Sequence, residues 1–363
     1  MADWDPFAVD EPVAPAAPAG GAGAGGAKGG RITPADRKVL EENIYNTIKR
    51  DCPWAKVPDP SPDLSWYQPT CTFDNWSHKA VKIEKGQGIV YVTLNEPDAG
   101  NCLSASMYLG LCDAVFALHA RPDIRCVVFS GAGKLFCSGV DNRFDGNFLS
   151  AKLPPRLEKV LTQLQDKAEA AGEKATTGRL LQAKLWFTLA TLPQFTIALV
   201  NGSAMGDGLG PIACVDMTIS LKNAFFQLPE VREGLVQCIL APYIVAKVGT
   251  GYAKFMFASG KNMTAQEMLT AGLVSEVVED IEEGHKKIKE ICEVLTACGP
   301  RSVEAAKQLV VGVGGQPIGE MVMFFTARML AMVTVSDEAK DGMVCVQAKK
   351  PKPWEEVPIT PLR

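Results

Sequence analysis

The stretch from Thr196 to Val215 leaves the chain few ways to fold. Thr196–Val200 (TIALV) runs into Asn201-Gly202-Ser203-Ala204-Met205-Gly206-Asp207-Gly208-Leu209-Gly210-Pro211, and the sequence turns apolar again at Ile212-Ala213-Cys214-Val215. A short apolar run closed by glycines reads as a buried strand, and the residues after Pro211 as a helix. Glycines let backbone approach a ligand closely, and N–H groups at a helix start have no partner within the helix. That arrangement suits a phosphate, or an oxyanion that develops during a reaction. The spacing Gly206-x-Gly208-x-Gly210 is not that of a dinucleotide-binding loop, and no GxxxxGK[ST] occurs. A tight strand–helix turn packed on a sheet accounts for the stretch equally well.

The same alternation runs through the middle of the chain. Strands are expected at Gly88–Leu94, Arg125–Ser130, Thr196–Val200 and Met217–Leu221, and an amphipathic helix over Ser104–His119 opened by a serine cap. Residues 156–190 carry helical periodicity, and beyond Thr264 the chain reads as helical at 264–271, 280–298, 301–310 and 317–334. Strands separated by helix-sized segments predict an α/β body with crossover connections. A second turn, Gly131–Asp141 (GAGKLFCSGVD), also follows a strand. Two such loops can place one backbone N–H each around a single carbonyl oxygen.

The N-terminal region has a different character. Residues 11–30 hold seven Gly, seven Ala and three Pro, too little apolar surface to offset ordering, so residues 1–32 are expected to be a disordered tail. A short helix at 33–50 and a proline-broken connector to residue 80 should follow, with the folded core over 81–275, a helical region over 276–354 and a tail at 355–363.

Composition excludes several function classes. Apolar residues make up 47% and the net charge is −4, so no basic surplus draws nucleic acid or anionic lipid, and no apolar run is long enough to span a membrane. The start, MADWDPF, has neither a signal peptide's apolar stretch nor a transit peptide's arginines, so a cytoplasmic location is expected. The eleven cysteines form no Cys-x-x-Cys and the three histidines lie far apart in sequence, so neither a disulfide scaffold nor a metal site is expected. Met321, Met323, Met329 and Met332 have helical spacing and read as core or subunit packing.

Several motifs, in order, resemble the crotonase superfamily of enoyl-CoA hydratases and isomerases over about Lys82–Trp354. They are Leu94-Asn95-Glu96-Pro97 with Asn101-Cys102-Leu103-Ser104, the loop Lys134–Asp141 (KLFCSGVD), the loop Asn201–Gly210, Phe226–Glu230 (FQLPE), Ala271-Gly272-Leu273-Val274, and the closing Ser336–Trp354. The resemblance implies a ββα spiral core with a C-terminal helical trimerisation region, and a homotrimer or dimer of trimers. It also implies a thioester substrate, an acyl-CoA or acyl-carrier protein, with coenzyme A as part of the substrate and no separate cofactor. By position, the backbone N–H groups of Val140 and Asp207 would form the oxyanion hole, and Glu230 would be the acid/base. Val140, Asp141, Asn142 and Arg143, with Gly206, Asp207 and Gly208, would border the thioester and CoA.

The sequence departs from the pattern twice. The position of the hydratases' other glutamate is Gly210, so a single acid/base, Glu230, is expected; it serves a 1,3-proton shift in an isomerase, or hydration if water is held by other groups. The surroundings of Glu230 (Glu230-Val231-Arg232-x-Gly234, Ala241-Pro242-Tyr243) look most like the methylglutaconyl-CoA-hydratase-like subgroup, which favours hydration. The second departure is Asp207 in place of the loop's middle glycine, where a carboxylate would face a developing enolate. On that reading Asp207→Gly should keep or raise activity. The two departures together also leave open a catalytically silent scaffold.

Overall fold

The computed structural model describes residues 64–140 and 177–363, with isolated positions between 155 and 166. The expected tail at 1–32, the helix at 33–50, the loop residues Asp141, Asn142 and Arg143, and most of the 156–176 helical stretch lie outside the described residues. All the described residues fall within one compact unit, 52–363.

The framework is a six-stranded sheet. β1 (Val81–Lys85) and β2 (Ile89–Leu94) form an antiparallel hairpin. β3 (Cys126–Gly131), β4 (Phe195–Val200), β6 (Met217–Leu221) and β9 (Glu276–Val278) then continue the sheet in parallel. A small second sheet joins β5 (Ala204–Met205), β7 (Phe225–Gln227) and β8 (Met263–Thr264). Successive side chains on a strand point to opposite faces. Val90, Val92, Val127, Phe129, Ala198 and Val200 accordingly join one core cluster, while Ile89, Tyr91, Cys126, Val128, Ile197 and Leu199 join another. Both faces are covered, which is why these strands read as continuous apolar runs rather than as alternating ones.

Helices supply the cover. α1 (Ala105–His119) is capped by Ser104, whose Oγ accepts from the Met107 N–H at 3.2 Å, as the sequence predicts. α2 (Thr177–Ala190) and α3 (Gly210–Cys214) pack on the same side of the sheet as α1. α4 (Ala241–Ser259) has no counterpart in the expected elements; Gly249, at φ 71°, interrupts it and breaks up its periodicity. α5 (Ala265–Ala271) begins with a capping box between Thr264 and Glu267. α6 (Ile281–Thr296), capped by Asp280, lays Ile288 and Cys292 on the other sheet face. α7 (Pro300–Val313), α8 (Glu320–Thr334) and α9 (Asp337–Ala348) follow.

Both ends of the core extend further than the sequence suggests. Trp66, Tyr67 and Phe73, within the expected connector, are buried in the main cluster. Asp113 of α1 clasps that segment, accepting from Tyr67 at 2.5 Å and Thr70 Oγ1 at 2.8 Å, with His78 Nε2 at 2.8 Å. The expected tail at 355–363 returns to the sheet: Ile359 is buried, Thr360 pairs with Gln87, and Arg363 meets Glu84 at 3.0 Å. Among the described residues no helix is long and apolar enough to cross a membrane.

Candidate active site

Three segments converge at the ends of the parallel strands. The first is the loop after β3, Gly131–Val140. Two asparagines hold its backbone. Asn101, fully buried at φ 54°, accepts from the Glu96 N–H at 2.9 Å and donates to the Ala132 and Leu135 carbonyls, each at 2.8 Å. Asn201 accepts from the Gly131 N–H at 2.8 Å and donates to the Gly133 carbonyl at 3.0 Å. The second segment, Asn201–Gly210, lies against the first. The Met205 N–H donates to the Cys137 carbonyl at 3.0 Å, and at Gly139 (φ 95°) a Cβ would sit 2.8 Å from the Met205 carbonyl oxygen. At Gly202 it would collide with the Lys134 carbonyl at 2.0 Å. The glycines of both motifs therefore serve the approach of one loop to the other.

This packing brings the ends of the two loops together. Met205 caps a single 3-10 turn, Gly206–Leu209, that leads straight into α3. Gly206 and Asp207 are its first two residues, so their N–H groups have no partner within the turn. Val140 lies next to Gly139, which is packed on Met205. The two N–H groups assigned to an oxyanion hole are thus carried on abutting backbone.

Glu230 comes from the third segment, the 3-10 turn Pro229–Glu233 that follows β7. Pairing of β7 with β5 fixes this turn against the second loop. A Cβ at Gly206 would lie 2.9 Å from Glu230 Oε1, and the backbone there sits at φ 52°, so the glycine lets the carboxyl seat directly against the loop. Glu230 Oε1 accepts from Gln237 Nε2 at 3.0 Å, and its Oε2 is buried with no partner among the described residues. Burial is the main cause that raises the Glu230 carboxyl above the ordinary glutamate range, and the charge of Asp207 adds to it.

Asp207, the departure from the motif, points inward. Its side chain is buried and accepts from Gln237 at 2.8 Å, with Gln182 Nε2 at 3.4 Å; that amide also donates to the Tyr108 hydroxyl at 2.8 Å. Burial raises its carboxyl, while Gln237 and the charge of Arg179 work in the opposite direction. Gly210, the position without its glutamate, is filled from outside: a Cβ there would be 2.5 Å from Cε2 and Cζ2 of Trp186, a fully buried indole. A Cβ at Gly208 would meet the Cys137 carbonyl at 2.6 Å. The Cys137 thiol donates to the Asn101 carbonyl at 3.0 Å and burial pushes it up to about 12, which leaves no thiolate for nucleophilic chemistry.

Of the sequence-predicted residues, the structure brings Val140, Gly206, Asp207, Gly208, Gly210 and Glu230 together; Asp141, Asn142 and Arg143 lie outside the described residues. Sequence reasoning missed Gln237, Gln182, Tyr108 and Trp186. Gln182 alone left a signal, a polar residue inside the apolar stripe Leu180, Leu181, Leu185. Two clefts, of about 490 and 800 Å³, lie elsewhere, lined by His119, Pro193, Leu295 and residues of α7. Their walls carry none of the convergent groups around Glu230.

The enoyl-CoA hydratase/isomerase family profile matches residues 84–151 and 157–357. A Thermus thermophilus protein provisionally named an enoyl-CoA hydratase is 28% identical over 271 residues, covering 75% of this chain and 98% of its own. The mitochondrial delta(3,5)-delta(2,4)-dienoyl-CoA isomerase of Mus musculus is 22% identical over 282 residues, covering 76% and 82%. The crystal structure of an enoyl-CoA hydratase/isomerase from Marinobacter aquaeolei superposes with a TM-score of 0.65 at 23% identity, covering 76% and 99%, and so shares the fold. The chain belongs to the enoyl-CoA hydratase/isomerase family, with the crotonase fold.

Proposed function

We propose that the protein hydrates the double bond of a 2-enoyl thioester, carried on coenzyme A or on an acyl-carrier protein. The observation that carries this reading is the Glu230 carboxyl seated against Gly206, where the turn bearing the Asp207 N–H begins. A thioester carbonyl held by the Val140 and Asp207 N–H groups would gain negative charge as water adds at Cβ, and donors already in place stabilise that charge without reorganising. Glu230, half-buried and raised by that burial above the usual carboxylate range, takes up a proton more readily than a solvated glutamate, as a group that must both accept and return one requires. Val140, Asp141, Asn142 and Arg143 would run beside the CoA moiety. The same glutamate moving a proton between Cγ and Cα would make the protein an isomerase, a reading favoured by the isomerase among its relatives.

Assembly into a homotrimer or dimer of trimers accompanies this reading. Its support is the C-terminal helices, which leave Met321, Leu330, Met332, Val344 and Val346 exposed. A panel of crotonyl-, 3-enoyl- and methylglutaconyl-CoA tests the activity and separates hydratase from isomerase. Glu230→Gln should lose at least about 100-fold in rate, the range for a positioned acid/base. Wild-type protein that binds CoA but turns over no member of the panel would instead be a silent scaffold.

A further inference from the structure

The start of the second loop's helical segment carries an unexpected exchange of positions. Asp207 and Gly210 are three residues apart, so they lie on one face, a turn from each other. At Gly210 the Trp186 ring leaves no room for a carboxyl-bearing side chain. One turn earlier, the Asp207 carboxyl, 5% exposed, reaches Gln237 Nε2 at 2.8 Å, and that same nitrogen reaches Glu230 Oε1 at 3.0 Å. An amide NH2 has two hydrogens, one for each acid. The two carboxyls are thereby held within the roughly 4–6 Å over which one charge governs the ionisation of another.

Building on the hydratase reading above, we propose that Asp207 supplies the second catalytic carboxyl, acting as the acid while Glu230 acts as the base. Glu230 Oε2, the oxygen without a described partner, takes a proton from water as the water oxygen bonds to Cβ. The π pair of the Cα–Cβ bond moves into the thioester enolate. Asp207, held protonated, then gives its proton to Cα, so that H and OH have added across the bond. The cycle closes when Glu230 releases its proton to solvent and Asp207 regains one. The assignment follows burial: Asp207 is the more enclosed of the two, and a group that cannot be solvated keeps its proton. Among described groups, Tyr108 from α1, Cys137 from the first loop, Arg179 from α2 and Glu230 act on Asp207 or are acted on by it; the Gln237 hydrogen bond and the Arg179 charge favour its ionisation, and burial outweighs them. This reverses the expectation that Asp207→Gly is harmless.

The test compares wild type, Asp207→Asn, Asp207→Gly and Glu230→Gln on crotonyl-CoA. Both Asp207 variants should lose at least about 100-fold in kcat with KM within about threefold. The glycine variant restores the residue usual at this turn, which guards against misfolding. The double variant Asp207→Asn/Glu230→Gln should be little slower than either single one, as expected of groups that act as a unit. An acid must hold its proton, so wild-type kcat should fall on the alkaline side, and the residual rate of Asp207→Asn should lose that limb. Active wild type with Asp207→Asn and Asp207→Gly within about threefold of its kcat overturns the role. Wild type inactive on crotonyl-CoA and on the rest of the panel overturns the hydratase reading and this role with it.

Discussion

The sheet-centred body and the last three helices treat apolar side chains in opposite ways. In the body they are buried on both faces of the sheet, and backbone groups at the site are fixed by Asn101, Asn201 and close-packed glycines. In α7 and α9 no residue is buried, and in α8 only Phe325 is. Leu330 is 69% exposed and Val346 64%. The chain thus spends its internal packing on holding a few backbone N–H groups and carboxyls in place. The last helices instead present apolar surface of the kind that marks an interaction face.

Identical substitutions in the two regions should therefore have very different effects. The largest is expected for Gly210→Glu, which restores the family's carboxylate by sequence but drives it into Trp186. Overpacking together with a buried charge should cost more than about 4 kcal/mol by denaturant titration. At Gly319, before α8, the nearest atom to a Cβ is the Pro317 carbonyl at 4.0 Å, and Gly319→Glu should stay within about 0.5 kcal/mol. Equal losses at the two sites would erase the contrast between the body and the arm formed by the last three helices.

Next in size is Asn101→Ala. Three backbone groups lose their partner and alanine must adopt φ 54°, so a loss of about 3 kcal/mol is expected from unsatisfied polar groups plus left-handed strain. The loss should appear as a lower denaturant midpoint with an unchanged slope.

These positions also mark what the sequence disclosed. β2, β3, β4 and β6 were legible because a two-sided sheet demands continuous apolar runs, and α1 because a serine cap announces its start. The two site loops were legible because close backbone approach admits only glycine. The partnership of Asp207 with Glu230 was not: it passes through Gln237, seven residues beyond Glu230, in a segment with no periodicity. Nor was Trp186, whose ring reads as one more apolar position of α2 until the space over Gly210 is measured. The short strands β5, β7 and β8 were too brief to leave a pattern, and β9 was equally short. The burial of residues 64–80 rests on isolated aromatics without regular structure.

The two regions should also differ in pH response. Burial raises the Asp207 and Glu230 carboxyls in the folded chain, so between their unfolded and folded pKa values the native state binds more protons than the unfolded state. Their contribution to stability is thus complete below the unfolded values and is lost as pH rises through the folded ones. Asp207→Asn, which cannot ionise, should melt higher than wild type at pH 8, with the gap closing towards pH 4. A gap that widens at low pH would mean the carboxylate is stabilised in the fold. In the arm, the pair Leu330→Asp and Val346→Asp should leave the isolated chain within about 0.5 kcal/mol per site, since neither side chain is buried. Sedimentation tests the proposed trimer: wild type should run as the trimer and the double variant as a monomer.

The smallest effect expected lies where the chain end returns to the sheet. Arg363 meets Glu84 at 3.0 Å, and both side chains are partly open to solvent. Such a pair gains little Coulomb energy against the entropy of holding two long side chains still, so Arg363→Ala should cost no more than about 0.5 kcal/mol and should vanish as an effect in high salt. Ile359, buried on the sheet face, and Thr360, paired with Gln87, hold the same segment through burial and backbone hydrogen bonds. Ile359→Ala should therefore cost about 2 kcal/mol or more. A larger loss at Arg363 than at Ile359 would mean that charge rather than packing fastens the end of the chain to the body.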